Sequence, residues 1–217
     1  MTLATPPRPL QEGMEQPRSI FFLRGSLGAL LYLPAFLIAL FSPGLWPPAS
    51  GPGLAAAIVG GAIVLAGTLW RSYAQLFVGG RKSAELVRQG PYACCRHPLY
   101  FGSFLVGAGS AVMLASLTAL VFFAAVFQVL YHFVIREEER ILSHNHGDAY
   151  AEFRRAVPRK IFPARLPRIE ERYITIDLKA QHNQFKRSLV TLAVVPLLAI
   201  ALWLRARGEL PAFLPLP

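Results

Sequence analysis

Charged residues are scarce in this chain of 217 residues: Asp, Glu, Lys and Arg together make up 16%, whereas hydrophobic residues make up 54%. A soluble globular domain usually carries about 25% charged residues. The shortage of charge, together with a positive mean hydropathy, argues against a water-soluble protein. It predicts a chain whose main solvent is the lipid bilayer.

Cysteine is almost absent as well. Cys94 and Cys95 are adjacent, and neighbouring cysteines are poor candidates for an ordinary disulfide. His144 and His146 have a His-x-His spacing, but no third ligand accompanies them in an arrangement typical of zinc. A Gly-x-Gly-x-x-Gly fingerprint for dinucleotides is also missing. We therefore expect neither a disulfide framework nor a metal site.

Four long apolar runs are present: Gly25–Phe41, Gly53–Trp70, Leu99–Ile135 and Ser188–Leu204. A helix needs about 20 residues to cross the bilayer core, so the third run is long enough for two helices. Small and hydroxyl residues collect near Ser110–Thr118 and predict the turn of a helical hairpin. The expected fold is an all-α, polytopic membrane bundle of about five transmembrane helices, with a cytoplasmic helix and a cofactor pocket.

The basic residues are distributed very unevenly between the two sides of such a bundle. Twenty of the 22 lysines and arginines fall in the N-terminal arm and in the two large polar segments, and the exceptions are Arg205 and Arg207. The positive-inside rule then places the N-terminus and both polar segments in the cytoplasm and the C-terminus on the opposite side. This topology suits a bacterial inner membrane or the endoplasmic reticulum, and it explains the net charge without a nucleic-acid partner.

The predicted organisation has three parts. Residues 1–24 form a flexible cytoplasmic arm, residues 25–164 a membrane core, and residues 165–217 a cytoplasmic linker with a C-terminal transmembrane helix. Trp70–Val87 is interpreted as a short helix or re-entrant segment that breaks at Gly79 and Gly80. The segment from Arg136 to Glu152 is interpreted as a cytoplasmic continuation of the fourth span, with a break at Pro158.

Two polar blocks lie at the membrane edge. The first contains Gly90-Pro91-Tyr92 and Arg96-His97-Pro98-Leu99-Tyr100, and the second contains Arg136-Glu137-Glu138-Glu139-Arg140. Proline is favoured in the first turn of a helix, so Pro98 is expected to begin the third span with His97 near its N-cap. The free N–H groups at that helix end suit an anion such as a carboxylate. Polar groups so close to the bilayer indicate a functional site.

The two blocks resemble the isoprenylcysteine carboxyl methyltransferase family and related phospholipid methyltransferases. The resemblance covers about residues 86–159 and includes Leu86-Val87, the Gly-Pro-Tyr turn, the Arg-His-Pro-x-Tyr element and Glu138-Glu139-x-x-Leu142. It implies a small helical membrane protein that binds S-adenosyl-L-methionine in a cytoplasmic pocket. The methyl acceptor implied by the family is a lipid-like molecule that enters from the bilayer.

The resemblance also implies a set of cofactor-binding residues. In the family, the backbone of the Leu-Val pair lies along the cofactor, and the glutamate of the second block binds it. A glutamate can pair with the cofactor's ammonium, a histidine and a helix N-terminus can take its carboxylate, and tyrosine rings can face the adenine or the sulfonium. The matching positions here are Leu86, Val87, Tyr92, His97, Pro98, Leu99, Tyr100 and Glu138.

The expected reaction is direct transfer of a methyl group to a nucleophile on an amphipathic acceptor. A carboxylate acceptor needs only a positive group to orient it, and Arg136 is the candidate. An amine acceptor, as in a phospholipid N-methyltransferase, must lose a proton, for which His132, Glu137 and His146 are nearby bases. A non-enzymatic membrane scaffold with the same fold is a third hypothesis. Oligomeric state is not predicted by the sequence.

Overall fold

The computed structural model of the chain describes residues 28–79, 85–158, 160–169, 174 and 176–210. The arm predicted over residues 1–24 lies outside the described residues. The described part is helical: α1 (Gly28–Phe41), α2 (Gly51–Val78), α3 (Pro98–Met113), α4 (Leu117–Ala156) and α5 (Leu178–Ala206), with a 3₁₀ turn at Pro91–Ala93.

The helical membrane fold is confirmed, although the five helices are not equally long. By length and composition α2, α4 and α5 can each cross a membrane, whereas α3 is a shorter apolar helix of 16 residues and α1 has 14 residues. The predicted hairpin turn is present, since α3 ends at Met113 and α4 begins at Leu117. The Ser116 side chain caps α4 by accepting a 3.2 Å hydrogen bond from the Ala119 N–H.

Two helix boundaries differ from the sequence prediction. The segment from Trp70 to Val78 is not a separate element but continues α2, which ends at the predicted break at Gly79. Helix α5 begins at Leu178, ten residues before the predicted span, and its N-terminus is capped by the Asp177 side chain at 2.9 Å from the Ala180 N–H. Both helices therefore extend beyond their apolar runs, because polar residues with adequate helix propensity continue them.

Helices α2 and α3 approach each other closely along a line of glycines. A Cβ atom placed on Gly60 would lie 2.3 Å from the backbone nitrogen of Met113, and one on Gly109 would lie 2.8 Å from the Gly60 carbonyl oxygen. Small residues allow such backbone contact, which is a principal source of helix association in membranes. Because α3 is pinned against α2 in this way, its N-terminal residue Pro98 has a fixed position at one end of the bundle.

Helix α4 is long and folds back on itself. Its apolar part ends at Ile135, and its polar continuation has a kink at Gly147, where φ is 50° and ψ is −123°. Beyond the kink, Tyr150 and Phe153 pack against Leu142, so the last turns of α4 return toward its middle. The predicted continuation of this helix is confirmed, but its reversal at Gly147 was not predicted.

At the end of the bundle where α1 and α5 finish, Arg205 of α5 caps the C-terminus of α1. Its guanidinium donates two 2.7 Å hydrogen bonds, one to the Ala39 carbonyl and one to the Leu40 carbonyl. These carbonyls belong to the last turn of α1, where backbone acceptors lack helical partners and a cation is favoured. The other end of the bundle, formed by residues 85–97 and 136–169, is called the loop end here.

Candidate functional site

The loop before α3 is shaped by Gly90. This residue has φ of 62°, and a Cβ atom there would lie 2.5 Å from the Cζ atom of Phe77. Only glycine combines this backbone conformation with so close an aromatic ring. The Gly90 N–H donates a 2.6 Å hydrogen bond to the Arg168 carbonyl, so the chain after α4 passes directly over this turn.

His97 occupies the N-cap position of α3, as predicted, and Pro98 lies in the first turn. The His97 N–H donates to the Lys160 carbonyl at 2.8 Å. The Pro98 carbonyl accepts a 2.9 Å hydrogen bond from the indole N–H of Trp70. The residues around His97 are therefore held from two sides, by α2 and by the segment that follows α4.

The two predicted blocks meet at His97, Tyr100, Glu138 and Glu139, which we call the acidic pair cluster. The Tyr100 hydroxyl donates a 2.7 Å hydrogen bond to Oε2 of Glu138. Nδ1 of His97 lies 3.2 Å from the same oxygen, and Nε2 of His97 lies 3.4 Å from Oε1 of Glu139. One imidazole thus bridges two consecutive carboxylates from another helix. Sequence reasoning expected this imidazole to face a cofactor carboxylate, whereas its two nitrogens face glutamates.

Arg96 is a residue of this site that sequence reasoning did not single out. Its side chain is 6% exposed, and its Nε and one terminal nitrogen each lie 2.8 Å from Oε1 of Glu139. The other terminal nitrogen donates to the carbonyls of Val157 and Pro158, both at 2.8 Å. Because this guanidinium joins Glu139 to the end of α4, it fixes the fold-back of α4 against the loop. Its place directly before His-Pro was the available signal.

The protonation of the acidic pair cluster follows from its burial and its charges. Burial by itself lowers the pKa of His97, but hydrogen bonds and negative charge from Glu138 and Glu139 raise that pKa above its ordinary value. Glu139 lies in the polar continuation of α4, outside the apolar part. Burial raises its pKa, yet His97 and Arg96 lower it to about 2. The cluster is therefore built around a charged Glu139 and favours a protonated His97.

Aromatic rings enclose one side of the cluster. The Tyr100 ring is stacked on His97 with centroids 5.5 Å apart and an interplanar angle of 15°. Tyr131 of α4 lies on Tyr100 at 4.6 Å and on Phe127 at 4.1 Å. His97 and Tyr100 are 5% and 4% exposed, so the polar atoms of the cluster are screened from water. Electrostatic interactions are stronger in such surroundings than in solvent.

The remaining predicted cofactor residues lie in two neighbouring apolar clusters. Val87 and Leu99 pack against the cluster of Ala74, Phe77 and Tyr92, in which Tyr92 is 9% exposed. Leu86 packs instead against Tyr150, Phe153 and Val157 of the α4 fold-back. The structure therefore brings His97, Tyr100 and Glu138 into direct contact. Tyr92, Val87, Leu99 and Leu86 belong instead to the two apolar clusters.

His132 and Arg136, the predicted catalytic residues, do not contact the acidic pair cluster directly. They are exposed and line a cleft of about 580 Å³ whose wall also includes Glu139. The cleft begins where the apolar part of α4 ends. Glu139 thus belongs to both the acidic pair cluster and the cleft. Its Oε1 contacts Arg96 and His97, and the same side chain forms part of the cleft wall. A molecule in the cleft would therefore lie beside Glu139.

Two buried polar atoms in the polar continuation of α4 lack a hydrogen-bond partner within the part of the chain that the structure describes. They are the hydroxyl of Tyr150, which is 1% exposed, and Nε2 of His146. A buried hydroxyl without a partner is unfavourable by about 1–3 kcal/mol. Charges of Glu139, Arg96, Arg154 and Glu138 act on the Tyr150 hydroxyl. The site therefore has unused hydrogen-bonding capacity that a polar ligand could satisfy.

His144 and His146 are separated by the helix that carries them. His144 lines the cleft, whereas Nε2 of His146 is buried, because residues two apart on a helix point to different faces. Among the described residues, no group of three or more His, Cys, Asp or Glu side chains is placed to hold a metal ion.

Comparison with known proteins gives a family match and several relatives. Residues 54–144 match the model of the isoprenylcysteine carboxyl methyltransferase (ICMT) family. This range contains most of α2, all of α3 and the first polar block. It also contains Glu138 and Glu139 of the second block. No solved structure matches the chain.

The relatives fall into two groups by name. The chain is 36% identical over 116 residues to the nickel-cobalt-cadmium resistance protein NccN of Alcaligenes xylosoxydans xylosoxydans, covering 54% of each chain. It is 32% identical over 150 residues to the cobalt-zinc-cadmium resistance protein CzcN of Cupriavidus metallidurans, covering 67% of this chain and 68% of that protein. It is 34% identical over 77 residues to the protein-S-isoprenylcysteine O-methyltransferase of Schizosaccharomyces pombe, covering 36% of this chain and 33% of the relative. The match to NccN thus spans about half of that relative's length.

Proposed function

Because the chain belongs to the isoprenylcysteine carboxyl methyltransferase family, we propose that it is an integral membrane methyltransferase. It uses S-adenosyl-L-methionine and methylates an amphipathic, lipid-like acceptor. The observation that carries this proposal is the contact between the two blocks, in which Tyr100 and His97 of the first block hold Glu138 of the second. Metal resistance belongs to the names of two relatives and supports no metal chemistry for this chain.

The residues of the site fit this cofactor. Glu138 is suited to the cofactor's ammonium group, since charge-assisted hydrogen bonds to carboxylates are about twice as strong as neutral ones. The unpartnered Tyr150 hydroxyl offers a donor and an acceptor to the cofactor's polar groups. The N-terminal turn of α3 offers its positive dipole end to the carboxylate. These features lie within one region at the loop end.

His97 acts in this proposal as a positioning residue for Glu138 and Glu139. Its imidazole fixes the orientation of both carboxylates, because side chains that contact a ligand-binding group hold that group in place. Leu86, Val87, Tyr92, Pro98 and Leu99 complete the pocket wall. All of them are at least partly buried, which supports a water-poor pocket.

The cofactor supplies an activated methyl group on a sulfonium, so the protein needs no nucleophile of its own. The contribution of the chain is to orient the acceptor and to exclude water. A carboxylate acceptor is favoured because Arg136 lines the cleft at the end of the apolar part of α4. An amine acceptor remains the alternative, since His132 lines the same cleft and could remove a proton.

The test is transfer of a tritiated methyl group from labelled cofactor to membrane lipid extracts by the purified protein. A carboxyl methyl ester releases volatile methanol in base, whereas a methylated amine retains its label. We expect base-labile product, and we expect Arg136→Gln to lower turnover at least ten-fold, a loss of about 1.4 kcal/mol of transition-state stabilisation. Base-stable product would establish the amine alternative. Cofactor binding without any labelled product from several extracts would favour the scaffold hypothesis.

A further inference from the structure

The cleft beside the acidic pair has an unusual balance of charge. Among the described residues, eight side chains line it; four of them are lysine or arginine, and Glu139 is the one carboxylate. Glu139 is already paired with Arg96. Arg140 is paired with Glu137, whose Oε2 accepts from its Nε at 2.8 Å. The remaining cations of the cleft are Arg136, Arg154 and Lys160.

These three side chains form no ion pair or hydrogen bond with any described residue. Like charges around one cleft repel each other, and the repulsion is largest where water is partly excluded. In the proposed function an acceptor carboxylate balances one of these charges at Arg136. Arg154 and Lys160 still have no counter-charge among the residues that the structure describes, so the composition of the cleft favours a second anionic group.

The fold-back of α4 assembles this part of the cleft. In a straight helix, 18 residues separate Arg136 from Arg154, which is a rise of about 27 Å. The kink at Gly147, with its positive φ of 50°, returns the chain so that both arginines line one cleft. Lys160 joins them from the segment after α4. This segment is held in place by a 2.8 Å hydrogen bond from the His97 N–H to the Lys160 carbonyl. The three exposed cations therefore come from separate parts of the chain and are brought to one cleft by the fold-back.

The segment that follows Lys160 carries exposed apolar side chains, which points to lipid. Phe162, two residues after Lys160, packs edge-on against Phe101 and Phe104 of the membrane helix α3, at 5.9 and 5.2 Å. Leu166 is 85% exposed and Ile169 is 60% exposed. Exposed apolar side chains that alternate with basic ones are typical of a segment lying in the membrane interface.

We propose that Arg154 and Lys160 bind the phosphate of an anionic phospholipid head group at this interface. Arginine and lysine are the usual phosphate-binding side chains, and the neighbouring Phe162 and Leu166 provide apolar contact for the acyl chains. The site does not depend on methyl transfer, because the bound lipid is not required to be the acceptor. It would keep an anionic lipid beside the place where the acceptor enters.

The test compares lipid binding by charge-matched variants of the 217-residue chain. Native mass spectrometry of detergent-purified protein measures retention of phosphatidylglycerol, with phosphatidylcholine as the neutral comparison. The double variant R154Q/K160Q removes the proposed cations. The control R155Q/K179Q removes the same charge from exposed residues that do not line the cleft. Melting temperature without lipid verifies that both variants are folded.

We expect the wild type and the control to prefer phosphatidylglycerol, and R154Q/K160Q to bind it at least ten-fold more weakly with binding of phosphatidylcholine unchanged. Equal losses in both variants would overturn the proposal, since they would indicate a general effect of charge. A third arm adds inorganic phosphate alone. If phosphate displaces the lipid only at much higher concentration, the result supports recognition of the lipid's phosphate group. If phosphate binds as tightly as the lipid, the result would overturn a phospholipid as the ligand of this site.

Discussion

The hydroxyl of Tyr100 donates a 2.7 Å hydrogen bond to Oε2 of Glu138, and this bond joins the first turn of α3 to the polar continuation of α4. The same oxygen lies 3.2 Å from Nδ1 of His97. Deeper in the bundle, the two helices share apolar contacts among residues such as Phe104 and Phe123. Both partners therefore help to orient Glu138 at the site.

The Tyr100→Phe variant tests this dependence. The ring and its stacking remain, whereas Glu138 loses one donor in a screened position, so we expect a loss of about 1 kcal/mol of unfolding free energy. We also expect weaker cofactor binding, because the carboxylate is less well oriented. Chemical unfolding in detergent and calorimetric titration measure the two effects. Tyr131→Phe is the matched control, and an equal loss in both variants would contradict the role of the Tyr100 hydroxyl.

Breaking the buried pair of Arg96 and Glu139 should be far more costly. The Glu139→Gln variant leaves a guanidinium that is 6% exposed without its counter-charge, and we expect a loss of about 3 kcal/mol or more of unfolding free energy. Glu137→Gln removes a carboxylate from a pair whose arginine is 58% exposed, and should have little effect on stability because water screens the pair. Denaturant unfolding of both variants in detergent checks the difference. Similar losses would show that burial of the Arg96 pair has little energetic consequence.

The pH dependence of stability follows from the two pKa shifts. The pKa of His97 is raised above 6.5 in the folded state, so its stabilisation is complete below the unfolded pKa and is lost as pH rises through the folded pKa. The pKa of Glu139 is lowered from 4.5 to about 2, so its stabilisation is present above 4.5 and is lost as pH falls toward 2. We expect stability to be highest in the weakly acidic to neutral range.

The variant His97→Gln isolates the alkaline side of this profile. It should be less stable than the wild type at weakly acidic pH, and its melting temperature should fall less as pH rises through the neutral range. In this variant Arg96 still pairs with Glu139, so part of the stability lost on acidification should remain. Melting temperatures recorded in detergent across both limbs measure this. Parallel curves for the two proteins on the alkaline side would contradict a charged His97.

The contact between α2 and α3 gives a further prediction. Gly60→Ala places a methyl group 2.3 Å from the Met113 backbone, so the helices must separate, and we expect a loss of about 1–3 kcal/mol of unfolding free energy. Gly61→Ala is the neighbouring control, because its new Cβ would meet Val195 at an ordinary 3.9 Å. That control should be neutral or slightly stabilising. Thermal unfolding in detergent distinguishes them, and equal behaviour would contradict close packing at Gly60.

Much of the fold could be predicted from the sequence, for identifiable physical reasons. The length of the apolar run Leu99–Ile135 required two helices, and the hydroxyl residues near Ser116 located the turn between them. The His-Pro pair located the start of α3, because proline suits a first helical turn. The continuation of α2 through Val78 was not predicted, since a change in hydropathy at Trp70 does not end a helix.

The arrangement of the site was harder to predict. Each residue turns the helix by about 100°, so which of the three consecutive glutamates faces Arg96 depends on how α4 is rotated against α3. Only the structure determines that rotation, and it gives the ion pair to Glu139. The reversal at Gly147 was also missed, because a glycine in a polar helix does not indicate a positive φ until the segment packs back on Leu142.

The central claim is that Glu138 belongs to a binding site for S-adenosyl-L-methionine, and calorimetric titration of this cofactor into the detergent-purified chain tests it most directly. The wild type should bind, and Glu138→Gln should bind at least about ten-fold more weakly, a difference of about 1.4 kcal/mol. Glu137→Gln, the neighbouring carboxylate variant, should bind like the wild type. No binding to the folded wild-type protein, or equal affinity in Glu138→Gln and Glu137→Gln, would contradict the claim.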